Sequence, residues 1–350
     1  MATRSTPLPD LSGATTFADL KRLIKEAGLL DRQPTYYALK ITITFAMLGL
    51  SIALLFVFDH FLLHMLNAAF MAFVFVQFGL LAHDAAHVGI FRKPRQNYLT
   101  FLVFGNLIVG LDLAYWLDNH NAHHAHPNET EHDPNVNFPL LAFSEDQAAK
   151  LTGVLRELVK VQAYYFYLLQ TLVAFAVMAD GFRVSLTKQA RYPFWQPTLL
   201  VVHHVIHIGL VVIALGPGLA VPFLLVQYVL MGIYLAMVFA PNHKGMPILD
   251  EPVEITFMHQ QIMTARNVYG NPVNDFVFGG LNYQIEHHLF PPMPRNQLRH
   301  AQPIIKAFCA QNGIPYEETS AYKSYWEVLL SLDEISQFLR RVDRENRSTA

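Results

Sequence analysis

The sequence predicts an all-α integral membrane protein in which four transmembrane helices form two hairpins joined to a cytosolic helical cap. Of the 350 residues, 53% are hydrophobic and only 15% are charged, and the mean hydropathy is +0.26, whereas about 25% of the residues in soluble domains are charged. Residues 41–58, 61–82 and 192–243 contain no Asp, Glu, Lys or Arg. The last of these windows is long enough for two crossings of about 20 residues each.

The first 35 residues are polar, and we predict a cytosolic N-terminal segment over residues 1–37. Leu20, Ile24 and Leu29 fall near helical spacing, which predicts a short helix over residues 17–29. The chain does not start with the basic residues and immediate apolar core of a secretory signal, so we expect this segment to be retained.

The first predicted hairpin consists of two apolar stretches, residues 39–58 and 61–82. The second consists of residues 198–215 and 219–240. Gly216, Pro217 and Gly218 separate this second pair and suit a tight turn at the far membrane face. Each stretch is long enough to cross a bilayer as a helix, which satisfies its own backbone hydrogen bonds.

Two windows between the hairpins, residues 96–111 and 161–179, are also apolar, but they are shorter or contain polar side chains such as Asn106 and Gln170. Hydropathy alone leaves open whether they cross the membrane. The distribution of basic residues favours four crossings. Lys and Arg precede the first hairpin, lie between the hairpins and recur in the C-terminal tail, whereas both hairpin tips lack them, so we place the basic segments in the cytosol.

This topology divides the chain into three parts and leaves the two ambiguous windows lying in the interface or re-entering without crossing. We predict a cytosolic N-terminal segment (residues 1–37), a membrane domain (38–295) and cytosolic C-terminal helices (296–350). The protein is therefore predicted to be a multi-pass membrane protein with its functional site facing the cytosol.

Charge and cysteine content exclude several classes of function. A net charge of −2 without a concentrated basic run gives no electrostatic reason to expect a nucleic-acid partner. Cys309 is the only cysteine, which excludes intramolecular disulfides and iron–sulfur or thiolate zinc sites built from this chain. Any metal must be held by nitrogen and oxygen.

Histidine is the most informative residue type, because many of the 17 histidines are clustered at helical spacing. Each cluster lies at the end of a hydrophobic stretch or in a link assigned to the cytosolic side, so the clusters can meet. The members are His83 and His87 in HDAAH, His120, His123 and His124 in HNAHH, and Gln284, His287 and His288 in QIEHH, with His243 after the last predicted span.

So many imidazoles exceed the needs of one catalytic zinc, which usually has three protein ligands, and they favour two metal ions. Imidazole binds iron, copper, nickel and zinc alike, so the ligand type does not choose the metal. We expect Asp84, Asp118 and Glu286 to orient the rings by accepting hydrogen bonds from them.

The other histidines are interpreted differently. His203, His204 and His207 lie within the third predicted span, and we expect interhelical hydrogen bonds or support of the ligands rather than metal ligation. His126 and His132 are interpreted as loop or substrate-side residues, His60 and His64 as interfacial, and His259 and His300 as surface or packing residues.

At these residues the sequence resembles the integral-membrane fatty acid desaturase family. The resemblance rests on HDAAH at 83–87, HNAHH at 120–124 and GLNYQIEHHLFPPMPR at 280–295, in the family's order and separations. It implies a di-iron centre that uses O2 and two electrons to remove two hydrogens from an acyl chain. Carried over by position, the implied iron ligands are His83, His87, His120, His123, His124, His287 and His288, with His243 as the extra histidine after the last span.

Gln284 stands where many members of this family carry His, and it resembles the front-end subgroup, which acts between an existing double bond and the carboxyl end. Gln284 is either a weak ligand through its carbonyl oxygen or a residue that orients a water molecule. Many front-end members carry a fused b-type cytochrome domain, but this chain has neither an HPGG-like haem segment nor a Gly-rich dinucleotide fingerprint. The expected electron source is therefore external, such as a ferredoxin or a b-type cytochrome with its reductase.

The expected substrate is a fatty acyl chain, carried as acyl-CoA or in a lipid, that enters an apolar tunnel between the spans. A membrane hydroxylase with the same site is the alternative enzyme, because histidine spacing does not distinguish the two outcomes. A metal-storing or transport protein is a further alternative, but it predicts polar residues along the whole path through the spans, whereas these clusters gather on one side.

Overall fold

A computed structural model of the chain describes residues 9–187, 190–250 and 254–348, which are mostly helical. A π-helix (Leu102–Val109) and a 3-10 turn (Gln170–Leu172) lie between α-helices. Two short strands, β1 (Asn267–Val268) and β2 (Glu318–Thr319), pair in parallel. The helices are α1 (Phe17–Glu26), α2 (Pro34–Val57), α3 (Phe61–Ala86), α4 (Pro94–Phe101), α5 (Leu113–Ala125), α6 (Glu145–Lys150), α7 (Gly153–Val159), α8 (Gln162–Leu169), α9 (Val173–Ser185), α10 (Trp195–His243), α11 (Phe257–Met263), α12 (Pro272–Val277), α13 (Gln284–Leu289), α14 (Arg295–Gln311) and α15 (Ala321–Ser348).

The chain forms two compact units, each built from segments that are distant in the sequence. The cap unit combines the N-terminal residues up to Asp31 with residues 121–166 and 238–350. The span unit combines residues 32–120 and 167–237. The division of the chain at residues 37 and 295 stays a prediction.

The core of the cap unit is built around α1 and α14. Thr16 and Asp19 form a reciprocal capping box that starts α1. Leu20 and Ile24 on this helix are fully buried in the same apolar cluster as Phe308 on α14. The predicted N-terminal helix is therefore confirmed as the amphipathic α1, which ends at Glu26.

The span unit contains the first predicted hairpin, formed by α2 and α3. Ser51 on α2 donates to the side chain of Asn67 on α3 over 2.9 Å, and the Asn67 amide donates to the Ser51 carbonyl over 2.9 Å. Only 17% of the most apolar 18-residue window of α2 is buried. Exposed side chains such as Phe56, 59% exposed, suit contact with lipid.

The second predicted hairpin lies within α10, which is interrupted by the non-helical backbone of Gly216 (φ +70°). His207 Nε2 lies 3.0 Å from Oε1 of Gln227, 20 residues further along the chain. In a straight helix these residues would be about 30 Å apart, so the chain reverses direction between them. Glycine suits this turn because it adopts positive φ without a Cβ clash.

The two windows that hydropathy left ambiguous are helical. Within the described residues, four helices are long and apolar enough to cross a membrane: α2, α3, the segment Gln162–Ser185, and α10 taken as one helix. The helix pair Pro94–Val109 and Leu113–Ala125 is bent by 109°, a shape found in broken spans and re-entrant segments. These helices indicate a membrane protein, and the four-crossing topology stays a prediction.

Candidate metal centre

The first histidine group lies in the span unit, where the end of α3 and the middle of α5 bring three rings together. His120 Nε2 is 3.2 Å from His83 Nε2 and 3.0 Å from His87 Nε2. Each of the three residues offers a nitrogen that lies within 4.8 Å of the others. The structure thus brings the first cluster together with His120, as the sequence predicts.

Trp116, one helical turn before His120, contacts all three rings of this group. Its ring centroid is 4.2 Å from that of His120, 5.3 Å from that of His83 and 5.2 Å from that of His87. Nothing in the sequence distinguishes Trp116 from a core residue, because an aromatic residue at helical spacing indicates core packing. The indole therefore packs against all three rings of the group.

The second histidine group lies in the cap unit and is completely buried. His123 on α5, His243 at the end of α10 and His288 on α13 each offer a nitrogen within 4.8 Å of the others. His123 Nε2 is 3.3 Å from His243 Nε2. The third cluster and the isolated His243 therefore meet part of the second cluster.

Each ring of this group has a hydrogen-bond partner at its Nδ1 atom. The Nδ1 atoms of His123, His243 and His288 lie 2.9 Å from Asp133 Oδ2, 3.0 Å from the Thr264 carbonyl and 2.8 Å from Gln261 Oε1, respectively. A hydrogen bond at Nδ1 fixes the ring orientation and leaves Nε2 as a possible metal ligand for His123 and His243.

Asp133 is the buried acid of this arrangement, and sequence reasoning missed it. Burial opposes ionisation, but the hydrogen bond and charge of His123 and the nearby charge of Lys244 lower the Asp133 pKa to about 2. Asp133 is therefore ionised and can accept the Nδ1 proton of His123. It follows His123 by ten residues, a spacing that carries no helical signal.

Three further predicted residues lie beside this group in the cap unit. His124 Nε2 is 3.1 Å from His287 Nε2, and both side chains are buried. The Gln284 amide nitrogen is 2.9 Å from His243 Nε2, while Asn242 donates to Gln284 Oε1 over 3.3 Å. Gln284 thus faces the second histidine group with its side-chain amide.

The helix that carries the third cluster, α13, is buried along its whole length and is anchored by Glu286. The Glu286 carboxylate accepts hydrogen bonds from Asn267 Nδ2 over 2.7 Å and from the Tyr316 hydroxyl over 2.6 Å. Burial raises the pKa of Glu286 to about 7. These bonds join α13 to β1 and to the segment before β2, which fixes the positions of His287 and His288.

Two of the three acidic residues predicted to orient the histidine rings do not do so. Asp118 is exposed, and the Glu286 carboxylate binds Asn267 and Tyr316 instead of a histidine, so these two predictions are wrong. Asp84 accepts a hydrogen bond from the Tyr37 hydroxyl over 2.9 Å and lies 3.6 Å from His83 Nδ1. The sequence pattern indicated the acids nearest in the chain, whereas folding supplies Asp133.

Outside these groups, the histidines within α10 form interhelical and backbone hydrogen bonds. His203 Nδ1 lies 3.1 Å from the Leu107 carbonyl, and His207 bonds to Gln227 as described above. His204 Nδ1 lies 2.8 Å from the carbonyl one turn earlier on its own helix. The predicted hydrogen-bonding role is confirmed for His203 and His207. His64, predicted to be interfacial, is buried.

The nitrogen spacing fits metal ligation. Two ligand nitrogens about 2.1 Å from one ion in tetrahedral or octahedral geometry are about 3.0–3.4 Å apart. The facing Nε2 atoms here are separated by 3.0–3.3 Å. Imidazole groups supply the donors, so the residues present fit the nitrogen-bound metal that the sequence predicts.

We expect the anchoring bond to Glu286 to be needed for the stability of the third cluster. Tyr316→Phe leaves one oxygen of a fully buried carboxyl group without its hydroxyl donor, which should cost about 1–3 kcal/mol. Thermal unfolding in detergent measures this loss. Tyr322→Phe is the matched control, because Tyr322 is 81% exposed. Equal midpoints for the two variants would contradict the anchoring role.

Comparison with known proteins identifies similar chains. The model of a family described as fatty acid desaturase matches residues 60–320. The chain is 29% identical to a Delta(8)-fatty-acid desaturase of Euglena gracilis over 346 residues, covering 94% of this chain and 80% of that protein. It is 28% identical to an acyl-lipid (9-3)-desaturase of Physcomitrium patens, covering 95% and 65%, and 28% identical to a Delta(6)-fatty-acid desaturase of Caenorhabditis elegans, covering 93% and 76%.

Proposed function

The chain belongs to the fatty acid desaturase family, and on that premise we propose that it introduces a double bond into a fatty acyl chain by using O2, two electrons and two iron ions. It is an enzyme of lipid metabolism with a metal-dependent histidine site. The observation that carries the proposal is the close approach of imidazole nitrogens in both histidine groups, 3.0–3.3 Å apart, in a chain with this family match.

We propose that the iron ligands are the clustered histidines and Gln284, the latter as a weak ligand that binds through its side-chain carbonyl oxygen. The first group supplies ligands from α3 and α5 in the span unit, and the second supplies ligands from the cap unit. The proposed ligands are His83, His87, His120, His123, His124, His243, Gln284, His287 and His288. The identity of the metal as iron rests on the family resemblance.

An alkyl C–H bond offers no group for acid–base chemistry, so the iron ions that these residues would hold would supply the oxidising chemistry with O2. The protein's own residues position the chain and exclude water. Asp133, Gln261 and the Thr264 carbonyl hold the rings of the second group in one orientation. Trp116 packs against the first group.

We propose that the double bond is placed on the carboxyl side of an existing one. Two relatives are named a Delta(8)-fatty-acid desaturase and a Delta(6)-fatty-acid desaturase. Gln284 in the third cluster matches the front-end pattern. The acyl chain would lie among the apolar helices, with its head group at the cytosolic interface.

We propose that an external protein, a ferredoxin or a b-type cytochrome with its reductase, delivers the electrons. Reduction of O2 to two water molecules takes four electrons, and because the acyl chain supplies two of them, a donor must supply the other two. The proposed arrangement has four crossings with the metal centre in the cytosol, because Lys and Arg flank both hairpins on one side.

Turnover with purified components tests this proposal. Iron-loaded protein in detergent is supplied with O2, a reduced electron donor and an acyl substrate, and the molecular mass of the product is measured by mass spectrometry. A desaturase gives a product lighter by two hydrogens. A product heavier by one oxygen atom would contradict desaturation and support a hydroxylase.

Gln284 gives a further prediction. Its side chain lies 2.9 Å from His243 Nε2, so we expect Gln284→Ala to lower both bound iron and turnover, with a rate loss of about tenfold. Gln96→Ala, at an exposed position on α4, is the matched control. If Gln284→Ala keeps full iron and full turnover, the residue has no essential role.

A further inference from the structure

A third set of ligand-type side chains lies on the loop after α5 and takes no part in the proposed iron site. His126, Glu129 and His132 follow one another at intervals of three residues, and each offers a ligand atom within 4.8 Å of the others. His126 Nδ1 lies 2.7 Å from Glu129 Oε2, and His132 Nδ1 lies 3.1 Å from Glu129 Oε1. One carboxylate therefore lies between two imidazoles.

The loop is held in this shape by its own backbone. The amides of Glu129 and His132 donate to the carbonyls of His126 and Glu129 over 3.2 Å each, and the amide of Asp133 donates to the Glu129 carbonyl over 2.8 Å. Thr130 also pairs with Leu249, amide to carbonyl, over 3.0 Å. The three side chains thus project from a hydrogen-bonded turn, which lowers the backbone entropy that is lost on binding.

Two imidazoles and one carboxylate form a ligand set that zinc uses with a water molecule in the fourth position. The two histidine side chains are 45% and 51% exposed and that of Glu129 is 19% exposed, so an ion can reach the site from solvent. Their ring centroids are 4.9 Å apart. Ligand atoms around one tetrahedral ion lie about 3.3 Å apart, the ligand atoms of this set lie within 4.8 Å of one another, and exposed side chains can close the difference by small rotations.

We propose that His126, Glu129 and His132 bind one divalent transition-metal ion of the zinc type, separate from the two proposed irons. The ligand types exclude a preference for calcium or magnesium, which favour oxygen donors.

Metal counting on the iron-loaded, full-length protein tests the proposal. The protein is equilibrated with Zn²⁺, desalted and analysed for zinc and iron by elemental mass spectrometry. We expect wild type to retain one more zinc per chain than a variant carrying both His126→Asn and His132→Asn. His300→Asn, which alters a histidine outside all three sets, should bind zinc as wild type does. The same zinc count in wild type and the double variant overturns the proposal.

A second variant keeps the test decisive if the double variant also loses iron. Glu129→Gln keeps the size of the side chain and removes its charge, and we expect it to keep iron while zinc affinity in calorimetry falls by at least about 10- to 100-fold. Unchanged zinc affinity in Glu129→Gln overturns the proposal. Because zinc and iron are counted separately and no turnover is needed, this inference and the proposed desaturase activity fail independently.

Discussion

His123→Ala is expected to abolish desaturation and to lower bound iron while the protein still inserts in the membrane. His123 Nε2 faces His243 at 3.3 Å, and its Nδ1 is held by Asp133 at 2.9 Å. The substitution removes one proposed ligand and also leaves the buried Asp133 carboxylate without this partner. The loss of turnover should exceed about 100-fold, because replacing a residue that only hydrogen-bonds to a metal ligand already costs about 10- to 100-fold.

Turnover and iron per chain are measured on purified His123→Ala, with membrane-fraction yield as the test of insertion. His300→Ala is the control, since His300 lies on α14 in none of the histidine groups. Full turnover with unchanged iron in His123→Ala would remove His123 from the ligand set. Equal losses in both variants would point to general destabilisation.

Asp133→Asn is expected to reduce turnover by about 10- to 100-fold and to lower iron content. Asparagine has nearly the same shape, but it lacks the charge that holds the Nδ1 proton of His123. Asp133 also accepts backbone hydrogen bonds from Asn128 and Asn135 over 2.9 Å each, so the variant will be less stable as well. Asp133 is therefore a positioning residue that acts through His123.

Two comparisons separate this positioning role from general stability. Asp118→Asn changes the exposed acid that sequence proximity had indicated, and it should leave iron and turnover unchanged. In Asp133→Asn, kcat should fall while KM for the acyl substrate stays near its wild-type value, because the acyl chain does not contact Asp133 in this account. A variant with a lower unfolding temperature but full iron per folded chain would assign Asp133 a purely structural role.

The sequence predicts those features that depend on local spacing. The histidine clusters share helix faces, and the structure brings their members together: His83 with His87 and His120, and His123 with His243 and His288. The turn at Gly216 is also predicted, because glycine and proline interrupt a charge-free stretch there. Local spacing is sufficient in these cases because the interacting groups lie at the ends of predicted elements.

Features that depend on tertiary packing are missed. Asp133 reaches His123 through a turn that begins after α5, and Gln261 reaches His288 from α11, so neither pair has a periodic signal. Trp116 resembles a core residue in the sequence, yet it contacts three histidine rings. The helix at Gln162–Ser185 remained ambiguous because polar residues such as Gln170 lower its hydropathy although they are buried in the fold.

Fatty acid analysis in a host that lacks this protein tests the desaturase assignment most directly. The intact chain and a His287→Ala variant are expressed side by side, and total fatty acids are analysed by mass spectrometry with localisation of double bonds. We expect a new unsaturated acid only with the intact chain, its added double bond lying between an existing one and the carboxyl end. The same new acid in the His287→Ala strain, or oxygenated acids in place of unsaturated ones, would contradict this expectation.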